Sequence, residues 1–165
     1  MLYIYGLPLN NVLLTMLFFA SVWCIFLLIL PKSTLQFCSI LILLFSFWAI
    51  IHYSVASREV SDRHAFIFYT SFDALGEEFY REMVMNLFLY FPLGIALSFL
   101  IGPWSILVAF ALSLGIESWQ YFAGTGLAQG TDVLMNTLGA AIGALPWIIV
   151  KCITALKSRG FGSRK

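Results

Sequence analysis

The chain has 165 residues, of which 61% are hydrophobic and 17% aromatic, while 10% are charged and the formal net charge is +1. A soluble domain carries about half apolar and about a quarter charged residues, so this composition excludes a soluble enzyme or a nucleic-acid binder. It points to an all-α, polytopic transmembrane helix bundle. No stretch between apolar runs reaches the ~50 residues that a separate soluble domain needs.

Taken in order, apolar runs span Asn11 to Leu30, Thr34 to Val55, Met83 to Ile101, Trp104 to Ala123 and Asp132 to Val150. Each is close to the ~20 residues that cross a ~30 Å hydrocarbon core as helix, so about five transmembrane helices are expected. None shows the apolar/polar alternation of a membrane strand. The first run lacks a charged leader and a small-residue cleavage site, which predicts that it is retained as a helix.

The breaks are equally marked. Pro31-Lys32-Ser33, Gly102-Pro103 and Gly124 to Thr131 read as tight hairpins. The one long connection, Ser57 to Glu82, carries six acids against three arginines. Within it His64 to Phe72 is rich in rings and too short to span, which predicts an interfacial segment, and Asp73 is placed to cap a helical turn from Ala74 to Glu82.

Lys151, Lys157, Arg159, Arg164 and Lys165 follow the last run. Lys and Arg gather on the cytoplasmic side, so the C-terminus is expected inside. Five spans then put the N-terminus and the acidic connection outside. Cys24, Cys38 and Cys152 lie in or beside apolar runs with no metal or disulfide spacing and are read as packing residues. His52 has no second ligand at helical spacing, so no metal site and no cofactor are expected.

The informative residues are polar ones placed where polarity is costly: Asn86, Glu117, Gln120, Asp132 and Asn136. The alternation of runs puts all five in the same half of the bilayer. Glu117 and Gln120 are three apart, and Asp132 and Asn136 four apart, so each pair shares a helix face. An intramembrane acid is a functional-site candidate by default, and for Glu117 the partners at that depth are Gln120, Asn136, Asn86 and the Trp119 indole. Asp132 taken alone reads as an N-cap. Gly94 with Ser98, Ala111 with Gly115, and Gly139 with Gly143 carry the small-xxx-small spacing of closely packed helices. Pro92 and Pro146 fall within spans and remove backbone donors.

These residues stand in three ordered strings, EMVMNLFLYFPLG, GIESWQYF and TDVLMNTLGAAIG, and in this the chain resembles the VanZ-like family of bacterial membrane proteins. The resemblance covers Glu82 to Gly143; before that, only hydropathy corresponds. The family's polar signature falls on Asn86, Pro92, Gly94, Glu117, Gln120, Asp132, Asn136, Gly139 and Gly143. The family commonly has an Arg and a second Asp where this chain has Gly126 and Gln129.

The runs and the charge bias divide the chain into two N-terminal helices (1–56), an extracytoplasmic loop with an interfacial aromatic segment (57–82), a three-helix core (83–151) and a basic cytoplasmic tail (152–165), and the resemblance makes the core VanZ-like and the membrane a bacterial cytoplasmic one. The family's founding member is associated with resistance to teicoplanin-type lipoglycopeptides. That implies a cell-envelope factor whose outer polar cluster binds an amphiphile, either a lipid-linked cell-wall intermediate or a lipoglycopeptide tail, among membrane lipids. Two alternatives stay open: an intramembrane enzyme with Glu117 or Asp132 as general base, and a structural accessory subunit.

Overall fold

The computed structural model describes residues 3–4, 7–56, 65–67 and 77–162. Near the start, β1 (Tyr3–Ile4) pairs antiparallel with β2 (Leu7–Pro8). The helices α1 (Leu9–Ile29) and α2 (Lys32–Ile51) follow, and α2 ends in a π-helical turn, His52–Ala56. After β3 (Phe66–Ile67) come α3 (Glu77–Ile101), α4 (Trp104–Ala123), β4 (Ala128–Gln129) and α5 (Gly130–Gly162). The four helices from α2 to α5 are long and apolar enough to cross a membrane, and α1 is apolar over Leu14–Ile29. This is an all-α, multi-pass membrane protein.

The hairpins lie where the breaks place them, but two helices outrun their apolar segments. α3 starts at Glu77, six residues before the apolar run that begins at Met83. α5 runs for 33 residues, or about 50 Å at 1.5 Å per residue. The first part of the expected C-terminal tail therefore continues α5 as helix. Hydropathy measures hydrocarbon thickness, whereas a helix continues until its backbone is capped or broken. Asp73 and most of His64 to Phe72 lie outside the described residues.

α3 is the central helix: Tyr90, Phe91 and every residue from Leu93 to Ser98 are buried. It packs most closely on α5. A Cβ added to Gly94 would strike the Ala140 carbonyl, one on Gly139 the Leu87 carbonyl, and one on Gly143 the Phe91 carbonyl. Leu87 therefore opposes Gly139 and Phe91 opposes Gly143, so α3 and α5 run parallel with backbones in contact, as small-residue membrane interfaces allow. The Ala111 and Gly115 pair behaves differently. Both are exposed, and a Cβ on Gly115 would meet nothing within 4 Å; this small face is not packed on a neighbouring helix.

One apolar cluster joins Ile50, Tyr90, Leu93, Leu97, Ala109, Ile116 and Ala140; a second joins Met16, Trp23, Leu35, Phe91 and Ile95. α1 is tied to α5 by the Cys24 thiol, which lies 3.8 Å from the Pro146 carbonyl. Pro146 itself lies within the continuous α5 helix, as Pro92 does within α3. Cys152 is exposed and so is not a packing residue of the bundle. Next to it, the Lys151 ammonium lies 5.4 Å from the Trp147 ring centre, and that ring also packs on Gly102 in the α3–α4 turn. These contacts mark one end of the bundle; β3 and β4 mark the other.

Candidate functional site

The buried face of α4 is Ser105, Ala109, Ser113, Ile116, Glu117 and Gln120, a helical stripe that becomes polar toward the β4 end. Ser113, Glu117 and Gln120 on this face each meet a different element. Asn136 Nδ2, from α5, donates to Ser113 Oγ at 2.8 Å. One turn further on, the Glu117 carboxylate accepts the backbone N–H of Gln129 at 2.8 Å. Near the helix end, Gln120 Nε2 donates to the Ser54 carbonyl at 2.8 Å. Ser54 lies in the π-helical turn, where terminal carbonyls lack helical donors.

Burial is nearly complete. Glu117 is 3% exposed, Gln120 1%, Asn136 5% and Asp132 8%. Asp132 sits in the first turn of α5, where the helix dipole favours an anion, and three residues after Gln129. Asn86 is half-buried on α3. It immediately precedes Leu87, which opposes Gly139, so it lies within about a turn of the depth of Asn136. Four of the five residues expected from sequence are thus buried at one end of the bundle, and the fifth stands beside them without a hydrogen bond among the described residues.

Trp119, expected as a donor to Glu117, is 57% exposed. It follows Ser118, which also points outward and donates to the Leu114 carbonyl at 2.7 Å. His52 stacks on Trp48 with the ring centres 5.3 Å apart.

Three participants are not evident from apolar runs alone. Ser113 is four residues before Glu117, a spacing that placed it on the same face. Tyr90 is likewise four residues after Asn86; it is fully buried, and its hydroxyl approaches Ser113 without completing a hydrogen bond. The third is backbone. β3 pairs in parallel with β4, Phe66 opposite Ala128 and Ile67 opposite Gln129, and the Ala128 N–H donates to the Ala65 carbonyl at 3.1 Å. Ala65 to Ile67 thereby lie against the α4–α5 turn, and Gln129 presents its N–H to Glu117.

Some acceptors remain unused. Gln120 Oε1 and Asn136 Oδ1 are buried without a donor, as are the hydroxyls of Thr125 and Thr131. For Gln120 the amide orientation is fixed by chemistry, since a carbonyl can only accept and Nε2 must face Ser54.

The family model described as VanZ/LLP1 matches residues 12–151. The chain belongs to the VanZ/LLP1 family. The match begins in α1, so the family likeness includes the first two helices as well as the motif-bearing core. No curated protein and no solved structure matches the chain. Within this VanZ/LLP1 chain, the α4–α5 turn is the one that touches Glu117: Gln129 supplies the N–H, and Gly126 stands three residues before it.

Proposed function

We propose that this VanZ/LLP1 protein is a cell-envelope factor of the bacterial cytoplasmic membrane, with its C-terminus in the cytoplasm. In this reading the polar cluster lies in the outer half of the bilayer and binds an amphiphile, a lipid-linked cell-wall component or the tail of a teicoplanin-type lipoglycopeptide, lowering susceptibility to the antibiotic. The supporting observation is the set of buried acceptors on facing helices, Glu117, Gln120 Oε1 and Asn136 Oδ1, of which the two amide oxygens have no donor. An orphaned buried acceptor costs about 1–3 kcal/mol, and polar groups inside membrane bundles line functional paths. A head group bearing N–H or O–H donors removes that cost on binding.

The test is the teicoplanin inhibitory concentration in susceptible cells expressing the intact chain, Glu117→Gln or Asp132→Asn at matched membrane abundance. The intact chain is expected to raise it and both variants to lose the rise. Resistance that persists in both variants rules the cluster out as the working site, and no resistance from the intact chain rejects this ligand.

A further inference from the structure

The charges of this chain are sorted by end. All eight acids lie between Glu59 and Asp132, and the segments 1–58, 83–116 and 133–165 contain none. The bond from Gln120 to Ser54 joins the end of α4 to the end of α2, so α2 begins at the opposite end of the bundle, the one marked by Gly102 and Trp147. Lys32, which opens α2, is exposed there, as are Lys151 and Lys157 on α5. Arg159, Arg164 and Lys165 follow in sequence. The segments that build this end therefore supply six of the nine cations and no carboxylate.

The surroundings of the ammonium groups decide the kind of anion. Ile149, Ile153 and Leu156 are exposed on α5, at spacings of four and three that align them on one stripe. The apolar run ends at Val150, so the stripe continues past it for about two turns. At the same end Trp104 is 65% exposed, and the Trp147 ring holds the Lys151 ammonium at 5.4 Å. Indole rings, alkyl side chains and Lys at one depth match the boundary between hydrocarbon and headgroups. A soluble acidic partner would meet the ammonium groups and leave the stripe uncovered; an anionic lipid meets both. Membrane topology is set by Lys and Arg and is nearly indifferent to Asp and Glu, so it does not account for the exclusion of every acid.

We infer that this end of the bundle binds anionic phospholipids, whose phosphodiester headgroups pair with Lys32, Lys151 and Lys157 while their acyl chains lie along Ile149, Ile153 and Leu156. Basic residues just outside a span attract such headgroups over about a Debye length. The inference is independent of the amphiphile reading, which concerns the polar cluster at the opposite end.

The test uses the full chain in phosphatidylcholine nanodiscs. Phosphatidylglycerol and phosphatidylcholine probes carry the same diazirine near the glycerol end of one acyl chain, and labelling is mapped by mass spectrometry. Nanodiscs present both faces, so the result does not depend on which end is cytoplasmic. The phosphatidylglycerol probe is expected to label the segment 149–157 more than the phosphatidylcholine probe by about fivefold, the preference that one basic residue gives near an anionic surface. That excess should shrink in about 1 M salt, where the Debye length falls to about 3 Å. Combined Lys32→Gln, Lys151→Gln and Lys157→Gln should bring it down to the phosphatidylcholine level, and Arg81→Gln, on α3 at the opposite end, should leave it intact. All of these positions are exposed, and thermal unfolding of each variant confirms a folded bundle.

Equal labelling by the two probes in the intact chain leaves this surface to water or to a soluble acidic partner and overturns the inference. So does an excess that survives the three substitutions, or one that Arg81→Gln removes. None of these outcomes bears on the Glu117→Gln and Asp132→Asn resistance assay, which tests the other end alone.

Discussion

Gln129 donates its backbone N–H to the Glu117 carboxylate at 2.8 Å, across twelve residues of chain and the α4–α5 turn. This bond gives the intramembrane acid a structural duty that can be separated from any ligand role. Glu117→Gln keeps a side-chain oxygen for the Gln129 N–H, whereas Glu117→Ala leaves that donor unmet. Thermal unfolding in detergent is expected to place the Gln form close to the parent and the Ala form about 1–3 kcal/mol below it. Equal loss in the two would mean that charge, and not the hydrogen bond, holds the turn.

The glycines divide by what surrounds them. At Gly139 a Cβ would collide with the Leu87 carbonyl, while at Gly115 it would meet nothing within 4 Å. Gly139→Ala should therefore separate α3 from α5 and cost roughly 1–3 kcal/mol or more through overpacking. Gly115→Ala should be neutral or stabilising by up to about 1 kcal/mol, from helix propensity. Folded yield and melting temperature in the same detergent measure both, and a Gly139→Ala form as stable as the parent would contradict the backbone contact.

Orientation can be read from a native thiol. Cys152 is exposed, beside Lys151 at the end of the bundle marked by Gly102 and Trp147. With Cys24 and Cys38 replaced by alanine, a membrane-impermeant maleimide is expected to label Cys152 in inverted vesicles and to leave right-side-out cells unlabelled. The reverse pattern would turn the bundle over and place the polar cluster in the cytoplasmic half.

Much of the architecture was legible in the sequence because length and hydropathy fix how many helices cross and where they turn. Glu117, Gln120, Asp132 and Asn136 were legible for a related reason: in an apolar helix a polar residue has few places to be other than a protein interface. What could not be read was which way apolar or small residues face. The bilayer and the protein interior are both apolar, so Ala111 with Gly115 looks the same in sequence as Gly139 with Gly143, yet the first pair is exposed and the second lies against backbone. The engagement of Gln129 and of Ala65 to Ile67 was hidden for another reason. It runs through main-chain groups, which every residue carries, so side-chain identity gives no sign of it.

The contact of α3 with α5 also determines which parts of the molecule can move. Where side chains separate two helices, rotamer changes absorb small sliding motions; where glycine lays one backbone on another, a displacement of about an ångström meets fixed carbonyl atoms. Gly94, Gly139 and Gly143 therefore hold α3 and α5 as one rigid unit. α4 has its own glycine against open space and reaches the second helix through the Gln120 to Ser54 bond. A movement of α4 against that fixed pair would have to break the Asn136–Ser113 and Gln129–Glu117 bonds as well as the Gln120–Ser54 bond.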